Sequence, residues 1–497
     1  MTRRASIALR LPAGLALALA VTAPPAARAD TVDVGKSLLQ VIVTYQDFDP
    51  QIPWQKRQPG QRYGYGVMLD GSRLLTTEDL TRNGALIELR RAKRGEKYAA
   101  TVQQSDYQAD LAILKASLPP ADGAPAPLAL ATNVPQGATV QIVQFDETGE
   151  IQQEDAKVQK ISVSSLPLAP NTALIFTLQT EMNVNGAGAP VVYEGRLAGL
   201  IVQYDRATRT ATMLPYPMLQ RFAAGTDESN YTGIASAGFL WGPLIDPAKR
   251  EYLGAPANGK GVMILGALPG SGADGVLKPQ DVLLAWDGAE VDNLGYYQDP
   301  EFGRLLLPYL VSGRHRPGDT VAASIIRDRK PQSVNLKMSR RMDSESLIPE
   351  NTAGLQAEYV ADAGFVIREL SGDYLRSYGP KWEFQVSPRL THLYLTAKQR
   401  SAAPGERIVL LTRVLPDPIN VGSQMFRDDI VDRINGQPVK NMRDVFRILD
   451  ADGSLNRISL HGMEVDIVVD QSELAEANAR ISQVYGIPKL RYRRAAE

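Results

Sequence analysis

The side chains that could carry out acid–base chemistry are unevenly spread along the chain. Its three histidines are His315, His392 and His461, and no serine lies between Ser165 and Ser229. A serine hydrolase needs an imidazole that takes the serine proton and returns it to the leaving group. The chain before His315 therefore contains no such base.

Metal and cofactor chemistry has equally little support. The chain has no cysteine, which excludes disulfides, thiolate nucleophiles and cysteine-ligated metals. The histidines are scattered and stand in no ligand spacing. We expect neither a metal site nor a cofactor.

The composition is that of a globular protein. Of 497 residues, 44% are hydrophobic and 22% are charged, and the formal net charge is −1. Nucleic-acid binding normally needs an excess of basic residues, so we expect no nucleic-acid partner. A chain of this length is long enough for about three domains.

The N-terminus has the pattern of an export signal. Arginines precede an apolar stretch at residues 11–21, and Ala27-Arg28-Ala29 offers small residues where a signal peptidase cleaves. A membrane span takes about 20 apolar residues, so this stretch is too short to anchor the chain. We expect residues 1–29 to be a cleaved signal peptide, and the mature protein to be periplasmic without a membrane span.

Residues 30–225 contain many short segments rich in β-branched and apolar residues, separated by Gly, Asp and Asn. The clearest are residues 39–45, 65–69, 85–89, 111–114, 140–145 and 174–178. Residues 190–204 predict a hairpin with Glu194-Gly195 at its turn. Short strands with frequent turns predict a β-sandwich or a β-barrel.

Two further sections, 230–342 and 353–497, mix strands with helices. Residues 282–291 and 430–439 share a pattern of an apolar strand, a turn and a β-branched residue, which indicates a duplicated module. Asn441 predicts the N-cap of a helix that begins at Met442. A last helix is expected from Ser472, with Val484 on its apolar face.

Three stretches of the first section resemble the trypsin-like domain of the HtrA/Deg serine proteases. They are residues 64–71, 105–115 and 183–190. Residues 282–288 are similar to the first PDZ domain of that family, and residues 414–422 and 485–488 resemble its second, PDZ-like domain. The resemblance implies a mainly β protein with α+β modules: a trypsin-like double β-barrel followed by two PDZ-like domains.

The resemblance also identifies a degenerate catalytic triad. Asp79 falls at the position of the family's histidine, with Glu78 as the alternative if the alignment slips by one residue. Asp110 occupies the aspartate position, and Ala187 stands in place of the nucleophilic serine. Losing the base and the nucleophile together costs on the order of 10⁶-fold in turnover. The backbone amides of Gly186 and Ala187 could still contribute to an oxyanion hole.

Asp79 and Asp110 could in principle form a new acidic site. Two carboxylates in one pocket can share a proton or hold a water molecule. No other residue nearby completes an acid-protease arrangement, so we expect a solvated Asp79 and an Asp110 that caps a turn or holds its loop.

Peptide binding needs no catalytic group. Matching the family, the loop that would receive a peptide carboxylate is Ala237-Gly238-Phe239-Leu240. We expect a secreted pseudoprotease that binds unfolded or C-terminal protein segments as a chaperone, scaffold or regulatory subunit. Two alternatives remain open: an active endopeptidase, and a subunit of a homo-oligomer or of a mixed oligomer with active HtrA-type proteases. A groove covered by neighbouring chain would serve assembly instead.

Overall fold

The computed structural model describes residues 34–91, 96–116, 118, 127–166, 172–224, 231–340, 342–350, 354–397 and 403–494. The expected signal peptide, residues 1–29, lies outside these ranges. Among the residues so described, none of the helices has the length and apolar character that crossing a bilayer requires.

The first barrel is built from six strands and carries two short helices. These elements are α1 (Val34–Ser37), β1 (Leu38–Tyr45), β2 (Gly60–Met68), β3 (Arg73–Thr76), α2 (Glu78–Thr81), β4 (Gly84–Arg90), β5 (Lys97–Asp106) and β6 (Leu111–Ala116). The strands close in the order β1-β2-β3-β6-β5-β4. Alternating apolar side chains such as Val41, Val43 and Leu89 fill the interior, as the two-residue period of a strand requires.

The second barrel follows the same plan. Its elements are β7 (Thr139–Phe145), β8 (Ile151–Ser165), β9 (Thr172–Thr180), β10 (Pro190–Tyr193), β11 (Arg196–Asp205), β12 (Thr210–Pro215) and α3 (Tyr216–Ala223). Its strands close in the order β10-β11-β12-β9-β8-β7. Glu194 and Gly195 both have positive φ at the β10–β11 turn, so the predicted hairpin is confirmed. The two closed barrels confirm the expected double barrel.

The central module, residues 231–340, surrounds one main sheet. Its elements are β13 (Ala235–Ser236), β14 (Phe239–Gly242), α4 (Pro247–Leu253), β15 (Val262–Ala267), β16 (Val282–Trp286), β17 (Ala289–Glu290), β18 (Tyr296–Asp299), β19 (Gly303–Leu306), α5 (Leu307–Ser312), β20 (Thr320–Arg327), β21 (Lys330–Lys337) and β22 (Ser339–Arg340). The main sheet runs β14-β15-β16-β20-β21, which leaves β14 at its edge.

The C-terminal module, residues 354–494, is a second α+β unit. Its elements are β23 (Tyr359–Val360), β24 (Phe365–Glu369), α6 (Gly372–Arg376), α7 (Pro388–Ala397), β25 (Val409–Val414), β26 (Asp429–Ile434), β27 (Gln437–Pro438), α8 (Met442–Asp452), β28 (Arg457–Leu460), β29 (Ile467–Val468), α9 (Leu474–Val484) and β30 (Arg491–Tyr492). The sheet runs β29-β28-β26-β25-β24-β23-β30. Short 3₁₀ turns cover Asp343–Glu345, Asp362–Gly364, Trp382–Phe384 and Pro418–Asn420.

Both predicted helices of this module are present, but the start of the second differs from the prediction. Asn441 caps α8 as predicted, because its side-chain oxygen accepts the Asp444 amide at 3.0 Å. Helix α9 begins at Leu474 rather than at Ser472. Val484 was wrongly expected on its apolar face and is exposed, because the buried stripe of α9 ends at Ile481.

The modules are joined by direct contacts. In the loop between β1 and β2, Trp54 packs its ring 5.6 Å from that of Tyr359 in the C-terminal module. Phe176 of the second barrel contacts Phe302 of the central module, with 5.9 Å between the ring centroids. Aromatic pairs at these separations stabilise an interface beyond their buried area.

Candidate functional site

Asp79 and Asp110, two of the positions predicted from the family resemblance, meet where β3 leads into α2. Asp79 is in the first turn of α2, with its side chain 39% exposed and 3.7 Å from Arg82. Asp110 follows β5, is 8% exposed and has φ +51°. Its Oδ1 accepts the backbone amide of Asp79 at 2.8 Å. The structure therefore brings the two positions together, through the backbone of Asp79 rather than through its carboxylate.

The Asp110 carboxyl is in an unusual electrostatic position. Burial raises the pKa of Asp110 to about 7, and the negative charges of Asp79 and Glu78 act in the same direction. The Asp79 amide and Arg82 oppose this rise. Near neutral pH the group is thus partly protonated.

Glu78, the alternative residue predicted at the histidine position, forms an ion pair with Arg82. Its side chain is buried and lies 2.7 Å from Arg82, one helical turn further along the chain. The Arg82 guanidinium also lies over the Tyr107 ring, 4.6 Å from its centroid. These contacts give Glu78 a structural role in holding α2.

The loop around Ala187 is fastened to the first barrel. The carbonyl of Ala187 accepts the Tyr65 amide at 2.8 Å, and a bridge pairs Gly64 with Ala187. A Cβ atom at Gly64 would lie 2.5 Å from that carbonyl oxygen, so the close approach requires glycine. The Ala187 methyl group has no proton to give up and cannot attack a carbonyl carbon.

Asn185 is the centre of a hydrogen-bond network that the sequence did not indicate. The backbone amide of Asn185 donates to Gln144 Oε1 at 3.1 Å, and its side-chain Nδ2 donates to the Phe145 carbonyl at 2.9 Å. Its Oδ1 accepts the Tyr65 hydroxyl at 2.6 Å. The backbone N–H of Asn185 is therefore already hydrogen-bonded, so it is not available to an oxyanion hole in the loop around Ala187.

The loop predicted to receive a peptide carboxylate leads into the edge strand β14. Ala237 is buried, Gly238 has φ +72°, and Phe239 and Leu240 begin the strand. A Cβ atom at Gly238 would lie 2.1 Å from Ser271 Cβ, so glycine is needed there.

The hydrogen bonds of this loop restrict which amides could meet an anion. The Gly238 amide donates to Ser236 Oγ at 3.2 Å, and the Gly238 carbonyl accepts the Leu268 amide at 2.7 Å. An anion would therefore have to meet the amides that follow Gly238.

These four residues line a groove of about 400 Å³ between β14 and α5. Leu307, Pro308 and Val311 form the α5 wall. Residues from outside the central module also line it: Gln108, Thr172, Met342, Asp343, Ser346, Leu347, Ile348, Glu350, Tyr394 and Ala397. Neighbouring chain thus lines part of the groove, and the cavity beside β14 remains large enough for side chains of a ligand.

The C-terminal module presents a different edge. Strand β24 pairs with β25 on one side and with β23 on the other, and β30 pairs with β23 beyond it. Next to β30, Arg493 lies over the Phe446 ring at 4.5 Å and forms a 2.8 Å ion pair with Asp450. The chain's own C-terminal segment therefore forms the strand at this end of the sheet.

The three histidines belong to the central and C-terminal modules. His315 is buried beside Trp286, and burial lowers its pKa. His392 lies on α7, and the ring of His461, which follows β28, is 3.0 Å from the Asp432 carboxylate. Within the described ranges, no group of three His, Cys, Asp or Glu residues is arranged to hold a metal ion.

Comparison with known proteins adds family information to this geometry. A family model described as a trypsin-like peptidase domain matches residues 64–200, and one described as a PDZ domain matches residues 348–492. Protease Do-like 2, chloroplastic, of Arabidopsis thaliana is 26% identical over 463 residues, which cover 92% of this chain and 74% of that protein. Protease Do-like 4, mitochondrial, of the same organism is 21% identical over 91% of this chain and 84% of its own length.

A solved structure shows the same fold. The HtrA-type protease AlgW with tripeptide superposes with a TM-score of 0.50 at 17% identity, over 64% of this chain and 98% of that chain. Identity at this level supports a shared architecture and carries no information on activity.

Proposed function

We propose that the chain is a secreted HtrA/Deg-type pseudoprotease that binds protein segments without cutting them, since family models of a trypsin-like peptidase domain and of a PDZ domain match it and Protease Do-like 2 is similar to it. The observation that carries this proposal is Ala187 at the nucleophile position, in a loop bonded to Tyr65. The expected signal peptide would send the mature chain to the periplasm, where it acts as a chaperone, scaffold or regulatory subunit.

The chemistry of the barrel site supports binding without turnover. Hydrolysis of a peptide bond needs a nucleophile and a base that act as a unit. Ala187 offers only a methyl group as a nucleophile. Asp79 offers a carboxylate in place of an imidazole, and it contacts Asp110 through its backbone amide rather than through that carboxylate. An oxyanion hole alone retains only a small enhancement over water.

The groove of the central module supports peptide binding. An extended peptide can pair with the free edge of β14, while its terminal carboxylate meets amides that follow Gly238. Phe239, Leu307 and Val311 favour an apolar last residue. A micromolar complex, about −8 kcal/mol, is expected, because ordering a flexible peptide offsets much of the contact energy.

A calorimetric titration of the mature chain with peptides that end in an apolar residue tests this groove. Gly238→Trp should abolish binding, since its side chain would collide with Ser271 and disturb the loop. Gly259→Trp is the matched control, because Gly259 also has positive φ but has open space around it. Equal binding by both variants, or no binding by the parent chain, would exclude this groove as the working site.

An active serine endopeptidase is the second candidate, since relatives such as Protease Do-like 2 are named as proteases. It predicts casein cleavage and labelling by a fluorophosphonate probe, both of which require an activated serine. Our proposal predicts neither for the purified chain. A subunit that joins active HtrA-type proteases in a mixed oligomer would instead be found by co-purification with such a protease.

A further inference from the structure

A second cavity lies between the first barrel and the C-terminal module. It has a volume of about 230 Å³ and is rich in arginine. The barrel side contributes Asp47, Phe48, Asp49, Pro50, Arg57, Arg62, Arg82 and Asn83, and the other side Gly354, Leu355, Ala357, Arg368, Asp373, Arg376 and Ser377. A water molecule occupies about 30 Å³ of liquid, so the cavity has room for a small polyatomic ligand.

Arg368 is the most deeply buried of these arginines. It is 2% exposed, its Nη1 donates to the Pro50 carbonyl, and its Nε donates to the Glu369 carbonyl at 3.3 Å. In the part of the chain that the structure describes, its Nη2 has no hydrogen-bond partner and its guanidinium forms no ion pair. The guanidinium also lies over the Tyr374 ring, 5.1 Å from its centroid. A buried cation without a carboxylate partner is still costly, because carbonyl and ring contacts replace only part of its lost hydration.

Arg62 also lacks a carboxylate partner among the described residues. Its Nη1 donates to the carbonyls of Asp79 at 3.2 Å and Arg82 at 2.8 Å, and its guanidinium lies 4.0 Å from the centroid of the Tyr45 ring. The other three arginines of the cavity have carboxylate partners. Arg57 contacts Asp49, Arg82 contacts Glu78, and Arg376 contacts Asp373 and Glu350. Arg62 and Arg368 are therefore the two arginines of the cavity without a carboxylate partner among the described residues, while the Asp47 carboxylate accepts the Asn83 side chain at 2.7 Å.

We propose that this cavity binds a small oxyanion, a phosphate or carboxylate group, whose charge is balanced by Arg368 and Arg62. Guanidinium groups present parallel N–H donors that match the oxygens of phosphate and carboxylate. Such a ligand would contact both the β1–β2 loop and the C-terminal module, because Arg368 already binds the Pro50 carbonyl across the same boundary. It would also lie next to Arg62, which holds the carbonyl of Asp79.

Calorimetric titration of the mature chain with inorganic phosphate and with citrate, at constant ionic strength set by chloride, tests this site. We expect saturable binding of at least one anion and a rise in the melting temperature. Binding of phosphate alone identifies a phosphoryl ligand, and binding of citrate alone identifies a carboxylate ligand. Failure of both anions to bind saturably would overturn the proposal.

Two variants locate the binding. Arg368→Gln should weaken anion binding at least tenfold, but it also removes the contact with Pro50 and can impair folding. Arg57→Glu is the safer variant, because Arg57 is half exposed at the cavity and its substitution reverses one charge. Arg480→Gln, on α9 away from the cavity, should leave anion binding unchanged. Unchanged affinity in Arg57→Glu would contradict the proposed site whatever the outcome for Arg368→Gln.

Discussion

At the scale of single residues, Asp110 makes a structural contact at the position predicted to correspond to the family's aspartate. Its carboxylate oxygen holds the amide of Asp79 and thereby fixes the start of α2. Burial makes the charged form of Asp110 unfavourable and raises its pKa to about 7. The Asp110 carboxyl group accepts the Asp79 amide, and its ionised form destabilises the folded protein above neutral pH.

Replacing Asp110 by asparagine should make stability less dependent on pH. A folded pKa raised above the unfolded value stabilises the fold at low pH, and this contribution is lost as pH rises from about 4 through 7. Asparagine keeps the acceptor and stays neutral. Urea unfolding should therefore show Asp110→Asn about 1–3 kcal/mol more stable than the parent at pH 8, with little difference at pH 4.5.

The control for this measurement is Asp79→Asn. The Asp79 side chain is 39% exposed, so losing its charge should relieve only part of the unfavourable ionisation of Asp110 and should raise stability at pH 8 less than Asp110→Asn does. An Asp110→Asn effect of equal size at both pH values would show that the ionisation of Asp110 does not control stability here.

At the scale of elements, the two α+β modules differ in whether a sheet edge is free. In the central module β14 ends its sheet, whereas in the C-terminal module β24 is covered by β23 and β30. The covering strand is fixed by Arg491, which forms an ion pair with Asp362. Asp362 is 2% exposed on its side chain, so its charge depends on this partner.

Arg491→Gln should therefore destabilise the C-terminal module. Leaving Asp362 without its cation should cost roughly 3 kcal/mol, because breaking a buried pair strands an uncompensated charge. Arg493→Gln is the matched control two residues further on, since its pair with Asp450 is exposed and should contribute less than about 1 kcal/mol. Denaturant unfolding compares them, and equal losses would argue against a structural role for the covering strand.

At the scale of the whole molecule, contacts between distant parts of the chain decide what the sequence alone could predict. Local rules predicted the Glu194-Gly195 turn and the Asn441 cap, because each depends on neighbouring residues. The bond from Asn185 to Gln144 and the contact of Arg368 with Pro50 join remote segments, and no sequence period marks them. The position of β30 was missed for the same reason.

The positions predicted for a degenerate triad came from similarity to a family rather than from a local sequence pattern. The stretches around Asp110 and Ala187 could be aligned, and the structure places Asp110 against the amide of Asp79. The pKa of Asp110 could not be predicted, since burial and the neighbouring charges of Asp79 and Glu78 appear only in the folded chain. The arginine-rich cavity likewise arises only when the first barrel meets the C-terminal module.

The central claim is that the chain binds peptide segments and leaves them intact. A time course of fluorescence anisotropy, with a peptide labelled at its N-terminus and ending in an apolar residue, reports binding and cleavage together. The account predicts a saturable rise with a dissociation constant of about micromolar that stays constant for hours. A rise that decays as the labelled fragment is released would show proteolysis, and the absence of any rise would show that the groove beside β14 does not bind. Either result would contradict the account.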